Sequence, residues 1–186
     1  MWKLLGAAVV ASICVLAGPN DEAAASNACI DTSEGREAQE CYTTTSCETN
    51  QAACGAVVYA NAGGYVVNPV EIYERDNQPS DKATISSLCS GIKFNHKQDV
   101  QIGRYIMFVV PGECAYKLKI QIALGKSKDR DLFLVPGCAI EAKTDGTTLN
   151  NEWHVKASWT DAAKQNGKSG TVQDADGNKC GNEGKM

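Results

Sequence analysis

Two histidines, His96 and His154, and a set of outward-facing lysines are the side chains best placed to do chemistry in this chain. His154 stands beside Glu152 in the run Trp153-His154-Val155-Lys156-Ala157-Ser158-Trp159. With nearby carboxylates it has the make-up of a general base, the arrangement a secreted hydrolase would use. The other catalytic signatures are missing. Gly167-Lys168-Ser169-Gly170-Thr171 lacks the final glycine of a serine nucleophile elbow. Asp174-Ala175-Asp176-Gly177-Asn178 offers alternating oxygens, yet Lys179 and Lys185 stand where a calcium loop needs glycine and glutamate, so it reads as a polar turn. No cofactor and no metal are expected. Lys117 and Lys119 project from one side of a strand, and Lys93 and Arg104 lie in neighbouring segments. If adjacent strands align them, they form a basic face suited to an acidic extracellular protein or a polyanionic glycan. Binding without catalysis is therefore the first reading. A hydrolase built on His154 is the second, and an extracellular structural or coat component the third.

Sulphur chemistry fixes the compartment. Of 9 cysteines, Cys14 lies in an apolar N-terminal run. The even set that remains is Cys29, Cys41, Cys47, Cys54, Cys89, Cys114, Cys138 and Cys180. No Cys-x-x-Cys pair occurs, so metal binding is the weaker reading and a disulfide framework the stronger. Spacing does not determine the pairing. The crowded cysteines of residues 29–54 predict a local knot, and the scattered ones predict ties between distant strands.

The N-terminus agrees with export. Lys3 precedes Leu4 to Ala17, an uncharged stretch of about 14 residues, within the range of a secretory leader and too short to span a bilayer. Residues 1–17 are thus expected to be a signal peptide and the mature protein extracellular. A net charge of −4 at pH 7 becomes one unit more acidic once Lys3 is lost, which argues against nucleic-acid binding. No apolar run reaches the ~18 residues of a spanning helix. The oligomeric state is not legible.

Strands must then position these groups. Tyr116-Lys117-Leu118-Lys119-Ile120-Gln121-Ile122-Ala123-Leu124 alternates apolar and polar, which sorts Tyr116, Leu118, Ile120, Ile122 and Leu124 onto one buried face. Trp153, Val155, Ala157 and Trp159 repeat that logic. Further strands are predicted at residues 56–60, 65–73, 92–94, 100–110, 132–135 and 138–143, with Asn68-Pro69 a bulge, edge or break in the second. Two Pro-Gly turns echo one another, in Phe108–Ala115 and one residue shorter in Phe133–Ala139. They read as two similar hairpins with glycine at positive φ. Asp31-Thr32-Ser33-Glu34 predicts a short helix over 33–41. The resulting fold is mainly β, an antiparallel sandwich or barrel of about eight strands. Its organisation is an acidic, cysteine-rich N-terminal segment (18–55), a β-sandwich core (56–160) and a polar, Gly-rich tail (161–186) tied by Cys180.

Overall fold

Alternation decides which strands keep a wet face and which lose both. A computed structural model of the chain describes residues 38–75, 88–169, 172–173 and 179–180, the last two pairs as backbone only. In chain order these hold β1 (Ala38–Thr43), α1 (Thr45–Thr49), a 3-10 turn (Gln51–Ala53), β2 (Cys54–Asn61), β3 (Val67–Glu74), β4 (Lys93–His96), β5 (Tyr105–Pro111), β6 (Cys114–Ile122), β7 (Ser127–Leu134), β8 (Cys138–Gly146), β9 (Asn151–Trp159), α2 (Asp161–Gln165), β10 (Val172–Gln173) and β11 (Lys179–Cys180). The expected leader, Cys29, the Asp174–Asn178 turn and the side chain of Cys180 lie outside the described residues.

The strands form a five-stranded sheet ordered β1-β5-β2-β8-β9, a four-stranded sheet ordered β4-β3-β6-β7 and a small β10-β11 ladder. One core joins the two large sheets. Val57, Tyr59, Phe108, Ile140 and Trp159 from the first pack with Ile72, Phe94, Tyr116, Leu118, Ile120 and Leu134 from the second. The fold is therefore the disulfide-stabilised β-sandwich that the sequence predicts. The four-stranded sheet is antiparallel throughout. In the five-stranded sheet β1 runs parallel to β5 and β2 parallel to β8.

On β6 the residues predicted to point inward from Tyr116 to Ile122 are all fully buried. Leu124 departs from the pattern: it lies past the strand end at φ 59 and is fully exposed. By contrast, β2 and β5 are buried at every position. Their sequences, CGAVVYAN and YIMFVVP, are nearly unbroken apolar runs, the signature of strands covered on both faces. Ala56, Val58, Ala60, Met107 and Val109 turn away from the main core and form a second cluster with Cys41 and Cys47. From β1, beside β5 in the same sheet, Cys41 joins that cluster. Residues 38–41, expected as the end of a helix, are strand because pairing with β5 buries Cys41 and Thr43, and tertiary burial outweighs a local capping signal. Some of the expected 18–55 segment thus lies within the sandwich, as β1 and the first residues of β2.

Every described cysteine side chain is disulfide-bonded. Cys47 pairs with Cys54 and Cys89 with Cys114, and Cys41 and Cys138 are bonded as well. The first bridge is local and the second spans 25 residues, as the two cysteine densities predict.

The two Pro-Gly turns are not hairpins. Each passes the chain from one sheet to the other, β5 to β6 and β7 to β8. Gly137 takes φ 79, but in the longer copy the left-handed residue is Glu113, at φ 60, and not Gly112. Turns and sheets meet at this end: a Cβ on Gly112 would lie 2.6 Å from the Pro136 ring. At 68–69 the ladder between β3 and β6 shifts register between Val67 and Val70, where Pro69 has no N–H to donate.

Both open rims of the sandwich carry a polar stitch. Where β1 meets β4, His96 Nδ1 lies 2.7 Å from Glu40 Oε2, and the Tyr42 hydroxyl donates to that carboxylate at 2.8 Å. At the other rim Lys128 of β7 donates to the Asn151 carbonyl of β9 at 2.6 Å. Charged side chains on edge strands also discourage edge-to-edge pairing with other chains.

Burial raises the pKa of the Tyr42, Tyr59, Tyr65 and Tyr116 hydroxyls above the usual tyrosine range, with the Glu40 carboxylate adding to the effect at Tyr42. A raised folded-state value favours folding below the unfolded value of about 10 and weakens it above. Stability is therefore expected to fall as pH climbs past about 10. Tyrosinate absorbance from these residues should appear together with loss of the β-sheet circular dichroism signal. Their ionisation in a chain that keeps its full dichroism would contradict this packing.

Candidate functional site

The predicted lysine face forms only in part. On the outer side of the four-stranded sheet, Lys93 of β4, Tyr73 of β3, Lys117 of β6 and Asp131 of β7 make one cross-strand row. Asn95, Glu71, Lys119 and Asp129 make the next. Lys117 Nζ sits 3.5 Å from a carboxylate oxygen of both Asp129 and Asp131, and Lys119 Nζ 3.6 Å from Glu71. The charge of Asp131, followed by that of Asp129, raises the Lys117 pKa. Arg104 is elsewhere, in the approach to β5 in the other sheet, where its carbonyl accepts the Asn61 N–H. The face is thus a chequerboard of paired charges. Its lysines were visible in the sequence; the carboxylates beside them depend on how β7 registers with β6. Exposed pairs of this kind are screened by solvent and contribute little to stability.

His154 points to the outer side of β9, as alternation predicts. Its Nε2 lies 3.0 Å from Asp145 Oδ2, and both side chains are more than a third exposed. Asp145, and not the neighbouring Glu152, is the ion-pair partner, a contact made across the β8–β9 ladder. Asp145, Glu152 and His154 bring one ligand atom each to within 4.8 Å of one another, the group best suited to hold a metal among the described residues. His96, by contrast, is wholly buried in the rim stitch between β1 and β4.

The feature that sequence reasoning missed is a cleft of about 600 Å³. It opens at the end of the sandwich where β1, β2 and β5 meet the β7–β8 turn. Thr43 and Val109 lie in its wall with Cys54 and Gly55, and Cys47, Glu48, Gln51 and Ala52 form one side. Pro136, Gly137, Thr160, Ala162, Ala163, Asn166 and Lys168 form the other. Its lining is mainly apolar, and its volume falls in the range of small-ligand sites, about 300–1,000 Å³.

Each wall has a local cause. The Cys47–Cys54 disulfide holds α1 against the start of β2. α2 is set by Thr160, whose hydroxyl accepts the Ala163 N–H at 3.2 Å as an N-cap. The Gly137 N–H donates to the Cys54 carbonyl at 2.7 Å, and the Thr160 N–H to the Gly137 carbonyl at 2.9 Å, so the turn links both walls. Lys168 stands with Nζ 6.0 Å from the Trp159 ring centroid, putting one positive charge near the mouth. Thr43 is 7% exposed, and its Oγ1 is buried with no hydrogen-bond partner. A buried hydroxyl without a partner costs about 1–3 kcal/mol. No sequence signal marks this site, because its residues come from four separate stretches of chain, 43–55, 109, 136–137 and 160–168, whose only common property is their position in the fold.

No protein-family model matches the chain, and no curated protein matches it. Solved structures give distant likenesses. The human-specific toxin intermedilysin is 20% identical over 55% of this chain and 23% of that one, with a TM-score of 0.37. Wild-type pneumolysin is 16% identical over 55% of this chain and 23% of its own, with a TM-score of 0.38. The membrane-binding domain of pneumolysin is 15% identical over 55% of this chain and 96% of that domain, with a TM-score of 0.34. The chain spans less than a quarter of the length of the two whole toxins.

Gly137 ties cleft to fold: beyond its positive φ, a Cβ there would lie 2.9 Å from the Ala163 Cβ. Gly137→Ala should therefore cost about 1–3 kcal/mol from strain, plus the displacement of α2. Gly103→Ala, at φ 76 with open space around it, isolates the strain alone. Urea denaturation should show the Gly137 variant as the less stable of the two; equal stabilities would mean that Gly137 does not hold α2 in place.

Proposed function

We propose that this chain is a secreted, disulfide-braced binding protein that acts without catalysis and takes an apolar group of its ligand into the cleft between α1 and α2. The observation that carries this reading is the largely apolar concavity of about 600 Å³ between α1 and α2. Apolar walls supply the binding free energy, at about 25 cal/mol per Å² of apolar surface removed from water. Lys168 favours an anionic end at the mouth. The cleft suits an extracellular protein that inserts an apolar side chain, and it lacks the aromatic platform a glycan would need.

The paired charges around Lys117 and Lys119 support solvation and edge protection of the four-stranded sheet, so Lys93, Lys117, Lys119 and Arg104 are not proposed as a joint contact surface. The disulfides fit an oxidising, extracellular setting. N-terminal sequencing of the exported protein should begin after Ala17; retention of the full leader would count against secretion.

The cleft itself is tested with anilinonaphthalene sulfonate, an apolar anion of suitable size. Wild-type protein should enhance its fluorescence saturably, with one site per chain. Ala162→Trp, an exposed change at the cleft wall, should abolish that enhancement without altering the circular dichroism. Equal enhancement by both proteins would overturn the assignment.

A further inference from the structure

The tip of the β8–β9 hairpin holds an electrostatic conflict that a cation would remove. Asp145 and Glu152 are directly opposed in the antiparallel ladder, and His154 lies two residues along on the same face, across from Lys143. Like charges directly opposite one another destabilise a strand pair. Lys143 makes no ion pair with either carboxylate among the described residues.

The donor atoms are close to coordinating distance already. His154 Nε2 and Asp145 Oδ2 are 3.0 Å apart. Two tetrahedral ligands at about 2.0–2.1 Å from one zinc ion stand about 3.3–3.4 Å from each other, a few tenths of an ångström beyond that separation. The most distant pair in the group is within 4.8 Å, and Glu152 is exposed, so rotation of its side chain can close the remainder. The backbone beneath is held. Tyr65 donates its hydroxyl proton to the Asp145 carbonyl at 3.2 Å, the Gly64 N–H donates to the Gly146 carbonyl at 3.0 Å, and Trp153 packs edge-on against Tyr59 on the inner side.

We propose that Asp145, Glu152 and His154 form a binding site for a zinc-class divalent ion, completed by water. One imidazole nitrogen with two carboxylate oxygens suits a borderline ion of this class, whereas calcium takes six or more oxygens. The ion neutralises the opposed carboxylates and ties β8 to β9 beside Gly146. None of these residues lines the cleft, so the site stands or falls independently of the ligand reading above.

Calorimetric titration of zinc chloride into the chelator-treated, disulfide-intact protein tests this. One equivalent should bind and should raise the melting temperature, while calcium at the same concentration does neither. His154→Gln and Glu152→Gln, both solvent-accessible changes, should each weaken zinc binding by about tenfold or more and abolish the thermal shift. Cobalt in place of zinc should give visible absorption bands in the wild type alone. No saturable zinc uptake, uptake unchanged in both variants, or equal binding of calcium would each overturn the proposal.

Discussion

Two strands that are apolar on both faces set the terms for the rest of the molecule. β2 and β5 lie next to each other, and every position in both is buried. A sandwich interface covers only one side of each. Burying a side chain such as Met107 or Val58 on the other side contributes about 1.5–3 kcal/mol, so leaving that face wet would forfeit much of a marginal stability. Cys41 of β1, Cys47 of α1 and the Cys47–Cys54 bridge are therefore structural parts of the core: they lie in the cluster on the second face, while β1 itself extends the sheet beside β5. The cleft lies where that cover gives way to α2, which explains why a disulfide, a sheet end and a helix share its walls.

The outer face of the four-stranded sheet follows the opposite rule. Its strands alternate, so one side belongs to the core and the other to water, and cross-strand rows pair lysine with aspartate or glutamate. The tip of β8–β9 breaks this pattern by opposing two acids, and that exception is what gives the hairpin its chemical interest.

The repeated Pro-Gly turn shows how far local chemistry reaches. In both copies a proline and a glycine end an apolar strand and a cysteine opens the next, as the residue types require. Whether the chain reverses within a sheet or crosses to the facing one is not encoded in those residues. It depends on where β6 and β8 find their partners, and both find them across the sandwich. The extra residue in the first copy moves the left-handed position from glycine to Glu113.

The sequence by itself determined most of the large-sheet strands, the inward side of β6 and β9, and the disulfide-bonded state of the described cysteines. These are consequences of period, composition and thiol chemistry, which act over a few neighbouring residues. Residues 38–41 were misread as helix for the same reason: a capping pattern is local, while the pairing of β1 with β5 is not. Only the tertiary structure decided that Lys117 meets Asp129 and Asp131, that Arg104 stands apart from the other basic residues, and that His154 bonds to Asp145. It alone placed Thr43 in a cleft. Each of these rests on register between strands distant in sequence, and a shift of one residue sends every side chain of a strand to its other face. Register is fixed by burial summed over the whole core, which no single stretch of residues contains.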